Sequence, residues 1–320
     1  MKYSPVVIPT LCRFEKFKNC VESLKSCAEA KFTELVIGFD YPPEEKYFDG
    51  WKKIKDYIGS ISGFGKVTVF EQSANIGSSK NSLLLGNYAF ENYGTCIYSE
   101  DDNIFSPYFL QFMNESLEKY EDDSSVVAVC GYSYPIQWNT DKQCVLQGQH
   151  FSAWGYGTWK DKNDKLRADL KNNFFATYFG TPEFYRMKRY SRASFFNFMS
   201  FAFDDEIRAF DIPRSFYMQL TSKRILMPVK TLVTNDGWDG SGEHCTENCV
   251  GIDFSNRDRN ESSAVDVNSV EELFSYELED IILSLKSKKE RLKLYAVYFS
   301  IKLLGREKSR KLKDFLSRFK

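Results

Sequence analysis

Polar and apolar positions run in blocks with two different periods over the first 130 residues. Val6-Val7-Ile8-Pro9-Thr10, Glu34 to Asp40, Lys66 to Glu71, Thr95 to Tyr98 and Val126 to Gly131 are short apolar or β-branched runs closed by polar or proline turns. Such runs are the pattern of buried strands. Pro9 is expected to end the first. Between the runs the period becomes helical: Phe17, Cys20, Val21, Leu24 and Ala28 line one face of a helix predicted from about Phe14 to Ala30. Further helices are predicted around Gly50–Ile58, from the Asn75–Asn81 loop to about Tyr93, and over Tyr108–Tyr120. Strand and helix alternate at βαβ spacing, which predicts a mostly parallel α/β sheet with right-handed crossovers.

The later chain is less regular. Gln143–Phe151 reads as a strand ending in His150, and Trp154-Gly155-Tyr156-Gly157-Thr158-Trp159 as a bend that offers ring faces, or else as core filler beside a turn. A polar-aromatic helical stretch is expected from Pro182 to about Ala202. Leu226–Val229 and Thr231–Asn235 read as short strands leading into a glycine-rich loop, Asp236 to His244. Asn256–Asn268 reads as a polar linker. From about Val270 the leucines and aromatics recur at helical spacing, and Lys286 to Lys320 holds thirteen Lys/Arg against three Asp/Glu. A basic amphipathic helix can lie on an anionic membrane or pack on the body with its lysines in water.

Composition narrows the class. A chain of 320 residues with 28 Phe and 19 Tyr can bury a thick core, and a net charge of −1 gives no electrostatic case for nucleic acid. The eight cysteines make no C-x-x-C pair, no secretory signal precedes the first strand, and no apolar run reaches the ~18 residues of a membrane span. A cytoplasmic protein is expected.

The candidate chemistry sits at strand ends. Glu100-Asp101-Asp102 directly follows the fourth strand, where open α/β sheets carry their ligand crevice. A bare acidic triplet is ordinarily a solvated loop, but after a buried strand it also suits Mg2+ or Mn2+. Asp40 closes the second strand as a hydrogen-bond acceptor for a base or ribose, or as a turn residue. Asn75-Ile76-Gly77 with Lys80 and Asn81 has the form of an anion loop feeding a helix N-terminus, and Arg13 could add charge there. A second acidic cluster, Asp204-Asp205-Glu206, follows Phe203. His244, one of two histidines, ends the glycine-rich loop; His244-Cys245 and Cys249 lack a partner pair for structural zinc.

In this order the pieces resemble a GT-A-fold glycosyltransferase, with the inverting N-acetylglucosaminyltransferase I-like group as the best match. The resemblance covers most of residues 4–255. It implies a catalytic domain over 1–260, with a nucleotide-sugar half at 1–103 and an acceptor half at 104–260, followed by a linker and basic helical tail over 261–320. Pro9, Thr10 and Arg13 would hold the nucleotide, Asp40 the base, and Asn75, Gly77, Lys80 and Asn81 the diphosphate and sugar. Glu100, Asp101 and Asp102 match the metal motif, with Asp102 and His244 as ligands of Mn2+ or Mg2+. Trp154, Trp159 and Trp238 would line the donor or acceptor sugar, with Gly155 in the same donor site. Asp205 would be the base, with Asp204 and Glu206 as alternates. The implied reaction moves a sugar from a nucleotide-diphosphate donor to a glycan or lipid-linked acceptor in surface polysaccharide synthesis, with possible contact to the inner leaflet. The rivals are a non-catalytic nucleotide- or carbohydrate-binding module and a sugar-phosphate nucleotidylyltransferase, though Leu11-Cys12-Arg13-Phe14 lacks the glycine-rich loop of the latter.

Overall fold

Val6, Val7 and Ile8 are apolar on both faces of their strand, so the strand is stable only with helices covering both sides of its sheet. The computed structural model describes residues 3–208, 211–237, 254 and 258–317. It contains strands β1 (Val6–Thr10), β2 (Glu34–Phe39), β3 (Lys66–Glu71), β4 (Thr95–Tyr98), β5 (Asn103–Phe105), β6 (Val126–Cys130), β7 (Cys144–Gln147), β8 (Tyr156–Trp159), β9 (Arg224–Pro228), β10 (Val233–Asn235) and β11 (Val270–Glu272). Nine of them form one sheet in the order β11-β7-β9-β6-β8-β4-β1-β2-β3, and β5 pairs with β10 as a separate antiparallel ribbon. The pairs β1–β2, β2–β3, β1–β4, β6–β9 and β7–β11 are parallel. Within the nine-stranded sheet β4–β8, β6–β8 and β7–β9 are antiparallel. The chain therefore has the mixed, mostly parallel, helix-flanked α/β sheet that its periodicity predicts, followed by a helical tail.

Several local expectations change. Pro9 does not end β1; it pairs in register with Gly38 of β2. Thr10 bonds toward β2 through Asp40 N (3.0 Å), whereas Val7 accepts from Ser99 N on the β4 side (3.0 Å). By alternation the nitrogen of Pro9 faces the β4 side, where pairing has stopped at Val7↔Tyr98, so the missing N–H costs no ladder bond. The first helix spans Phe14–Lys25, stopping short of Ala30, with the Ser26 hydroxyl bonded to Ser23 O (2.6 Å). The strand expected over Gln143–Phe151 is only Cys144–Gln147. Of the Trp-Gly-Tyr-Gly-Thr-Trp segment only Trp154 and Gly155 bend, with Gly155 at φ 62°, whereas Tyr156–Trp159 is a buried strand between β6 and β4.

The chain divides into two compact units, one of Met1–Gln147, Ser152–Asn163 and Arg224–Leu273, the other of Gly148–Phe151, Asp164–Lys223 and Phe274–Lys320. The first holds both sheets. The second is helical, and its core is aromatic, with Phe174, Phe184, Phe195, Phe198 and Phe216 buried against Tyr298 and Ile301. The stretch from Pro182 is two helices, Pro182–Tyr190 and Arg192–Ser200, capped at the start by Thr181. Between them Ser191 gives its hydroxyl to Glu279 Oε1 (2.7 Å), which also meets His150 Nε2 (2.9 Å). The tail folds as helices Tyr276–Ser284, Lys288–Leu304 and Arg306–Ser317, the second started by a Ser287/Glu290 capping box.

One buried acid ties the edge of the sheet together. Glu34 accepts from Thr68 Oγ1 (2.5 Å), Tyr88 Oη (2.9 Å) and Tyr93 Oη, and pairs with Lys66 Nζ (2.9 Å). Burial by itself would raise its pKa, but the four donors outweigh it and hold the carboxyl at about 2. The folded value lies below the unfolded one, so this stabilisation is complete above a pH near the ordinary 4.5 and fades as pH falls toward 2. Glu34→Gln should cost about 2 kcal/mol at neutral pH. Urea unfolding should find that cost shrinking steadily in acid; an equal cost at both ends of the range would refute the assignment.

Candidate functional site

The strand order places a crevice. From β1 the chain adds β2 and β3 on one side, then returns to place β4 on the other. The order reverses between β1 and β4, and open α/β sheets bind ligands beyond the carboxyl ends of the strands at such a point. The pairing of these two strands covers only Val6↔Ile97 and Val7↔Tyr98, so their ends diverge. Thr10 and Arg13 follow one strand; Asp101 and Asp102 follow the other.

These four residues meet. Thr10 Oγ1 donates to Asp101 Oδ2 (2.9 Å), Arg13 Nη2 to Asp101 Oδ1, and Arg13 Nη1 pairs with Asp102 Oδ2 (2.7 Å). Both acids are buried. Burial pushes the Asp101 carboxyl above its usual value and the charge of Asp102 adds to this, while Arg13 opposes it. Burial disfavours the charged guanidinium of Arg13, yet the two carboxylates more than compensate and raise its pKa.

The ribbon beside the sheet completes the cluster. β5 begins directly after the acids and pairs Asn103↔Asn235 with β10. Asn235 Nδ2 donates to Asp102 Oδ1 (2.7 Å), while Asn235 Oδ1 accepts from Gly237 N (2.9 Å), which fixes the amide's orientation. Gly237 has no room for a side chain, since a Cβ there would stand 2.2 Å from Asp102 Oδ2. Asp236 N bonds to Asp102 O (2.8 Å), and the Asp236 carboxylate pairs with Lys16 Nζ (2.9 Å). Sequence reasoning missed Lys16 and the direct contact of Asn235. Lys16 sits one turn beyond Arg13 on the helix that starts at the crevice, and that spacing was its available signal.

Asp40 is buried at the end of β2 and holds the Asn75–Gly77 loop. Its carboxylate accepts from Tyr41 N (2.9 Å), Ile76 N (3.0 Å), Gly77 N (2.9 Å) and Asn75 Nδ2 (3.3 Å). Those four donors use the acceptor capacity expected for a base. Gly77 takes a positive φ of 80° and precedes the helix Ser78–Tyr93, which begins with no side-chain cap. Lys80 is exposed in its first turn, and Asn81 is buried with Nδ2 on Gly38 O (2.8 Å).

The other expected residues lie elsewhere. Trp154 is half-buried with its ring edge-to-face on Tyr132 (4.8 Å), and Gly155 O accepts from Gly131 N (2.7 Å). Trp159 offers no ring face to a sugar: it is buried, bonded to Leu117 O (3.0 Å), and covered by Lys162 Nζ at 3.6 Å. Glu100 is exposed. Asp204, Asp205 and Glu206 are exposed in the second unit, where Asp205 meets Arg310 Nη2 (2.6 Å) and Nη1 (3.1 Å). That pairing holds the Asp205 carboxyl below its usual range. Trp238, His244, Cys245 and Cys249 lie outside the described residues.

The acid pair suits a hard divalent cation. Two carboxylates face one guanidinium, and Asp101's pKa is raised first by its burial and then by the charge of Asp102. Among the described residues no third His, Cys, Asp or Glu joins them. Mg2+ and Mn2+ take one or two carboxylates and complete their shell with phosphate and water.

No family model matches the sequence, and no curated protein does. Among solved structures, the chain is similar to S. aureus TarS 1-349 at TM-score 0.41 and 12% identity, covering 73% of this chain and 60% of that one. It covers 22% of a longer TarS chain. It is also similar to the mannosyltransferase PcManGT from Pyrobaculum calidifontis with GDP-Man and Mn2+, at TM-score 0.38 and 10% identity over 69% and 70% of the two chains. GalNAc-T7 with UDP, GalNAc and Mn2+ gives 0.42 and 10% over 71% and 43%. At these TM-scores the likeness carries no argument about chemistry, which rests on the residues above.

Removing Arg13 should leave two buried carboxylates without their counter-charge. Arg13→Ala is expected to destabilise the fold by about 3–5 kcal/mol at pH 7. The loss should ease as pH falls, because protonating the acids removes the repulsion. Chemical denaturation at pH 7 and pH 5 measures both; a loss that grows in acid would contradict the pairing.

Proposed function

We propose that this chain is a nucleotide-sugar-dependent glycosyltransferase of the GT-A type, acting by inversion on a UDP-sugar. The observation that carries the reading is the Asp101–Asp102 pair bound by Arg13 at the switch point of the sheet. A divalent cation on Asp102, with His244 as the expected further ligand, would supply positive charge against the departing diphosphate. Arg13 and Thr10 fix the acid pair from β1, and Asn235 orients Asp102 from the other side. The N–H groups at the start of the helix Ser78–Tyr93, with Lys80, suit a phosphate oxygen. Asp40 acts by shaping the loop that presents them.

Direct displacement at the anomeric carbon develops oxocarbenium character and needs a base for the acceptor hydroxyl. Asp205 is our assignment. Its pairing with Arg310 makes it a weaker base, so taking a proton there requires that pair to loosen; Asp204 and Glu206 are the alternates. Trp154 and Trp238 would meet the sugars. The acceptor is a glycan or lipid-linked hydroxyl in surface polysaccharide synthesis, with the basic tail bringing the enzyme to the cytoplasmic face of the membrane. The N-acetylglucosaminyltransferase I-like group, and a hexosyl or N-acetylhexosaminyl donor, are the finer readings that the order of motifs supports.

A panel of nucleotide-sugars with Mn2+, scored by release of free nucleoside diphosphate, tests the proposal. Wild type should turn over at least one donor, and Asp102→Asn should lower the rate about a hundredfold or more. Binding without release across the whole panel would favour a non-catalytic module. Asp205→Asn at near-normal rate would move the base to a neighbouring acid.

A further inference from the structure

The tail is not uniformly amphipathic, and one helix within it carries a two-sided design. Lys288–Leu304 buries Tyr298 and Ile301 in the aromatic core of the second unit, beside Phe184 and Phe195. On the opposite side Leu292, Phe299 and Leu303 are 73%, 54% and 81% exposed. Steps of seven and eleven residues bring these three to within about 20° of one line along the helix. Lys289 and Lys293 flank that line on one side, Lys288 and Lys302 on the other, and all four are exposed. Glu290 is kept off this stripe as the partner of Ser287 in the capping box. Large apolar side chains this exposed mark an interaction surface.

We infer that this face of the helix Lys288–Leu304 docks in the plane of an anionic lipid bilayer, with Leu292, Phe299 and Leu303 among the acyl chains and the lysines at the headgroups. Charge complementarity selects this occupant: lysines on both flanks of an apolar line fit a surface that is negative throughout its plane. The helix lies on the membrane without crossing it, since no helix among the described residues is long and apolar enough to span one. In the following helix, Arg306–Ser317, two cations are used within the fold, Arg306 Nε on Ala202 O (2.8 Å) and Arg310 on Asp205, while Lys308, Lys311 and Lys313 stay exposed. The proposal narrows the general basic-tail contact to one helix and one face, and it stands whether or not the chain transfers sugar.

Co-sedimentation of the full chain with equimolar phosphatidylglycerol/phosphatidylcholine vesicles, against phosphatidylcholine alone, tests it. Wild type should bind the anionic vesicles and lose them with added salt. The triple variant Leu292→Ser, Phe299→Ser, Leu303→Ser should bind about tenfold more weakly or worse, with an unchanged melting temperature. The triple variant Lys289→Glu, Lys293→Glu, Lys302→Glu should lose the anionic preference, and it keeps the test decisive should the first variant melt early. Undiminished binding by both variants overturns the inference. So does wild-type binding no better than to neutral vesicles. So does a wild-type dimer that the apolar triple variant turns into a monomer, which would make the face a contact between two copies. Nucleoside diphosphate release without vesicles should be the same for wild type and both variants, which separates this outcome from that of the transferase reading.

Discussion

One guanidinium between two buried carboxylates is the constraint on which the crevice depends. At 4 Å a charge pair is worth about 4 kcal/mol at an effective dielectric near 20, and two acids that share one cation repel each other by a similar amount. Asp101 and Asp102 can be carried together at the end of β4 only if Arg13 is delivered to both. That requires the first helix to begin three residues after β1, β1 and β4 to be neighbours, and their ends to diverge enough to admit the side chain. Pro9 fits this opening, since its nitrogen faces the side where β4 no longer pairs. The two carboxylates bring two negative charges to the one positive charge of Arg13.

Asp40 makes the contrast within the same row of strand ends. It too is a buried carboxylate after a parallel strand, but four neutral donors satisfy it, three from the Asn75–Gly77 loop and one from Tyr41 N. Its stabilisation is directed at a loop and, through Gly77, at the start of the next helix. The two acids therefore divide the work. Asp40 holds the backbone that frames the crevice, and the Asp101–Asp102 pair supplies its charge.

The parts of the fold legible from sequence are those with local periodicity. β1 to β4 and the helices between them are short-range βαβ units, so each run of apolar residues announced its own element. The acid motif was legible because it directly follows a strand. What was not legible depends on partners far along the chain. β5 is three residues long and exists because β10, some 130 positions later, pairs with it. Tyr156–Trp159 has the glycines of a turn, yet Gly157 is small because Met113 and Leu117 pack where its side chain would be, and the segment is a strand between β4 and β6. Trp159 could be a sugar platform or core filler on sequence, because a tryptophan beside glycines looks the same in either setting, and it is core. His150 looked like a strand end and is instead one side of a buried pair with Glu279.

The basic tail shows why a charge run cannot be read as one surface. Thirteen cations in 35 positions would be expected to face water together. Folded, they part residue by residue: Arg306 and Arg310 turn inward to backbone carbonyls and to Asp205, whereas Lys308, Lys311 and Lys313 of the same helix are exposed, and Lys288, Lys289, Lys293 and Lys302 stay exposed around an apolar line. The inward pair uses charge to fasten the last helix to the second acidic cluster, and this lowers the basicity of Asp205. Any event that draws Arg310 away would raise the basicity of that carboxylate. The acid expected to take a proton and the cations expected to meet a surface are thus linked through one helix–helix junction, Gly305, which takes a positive φ of 79°.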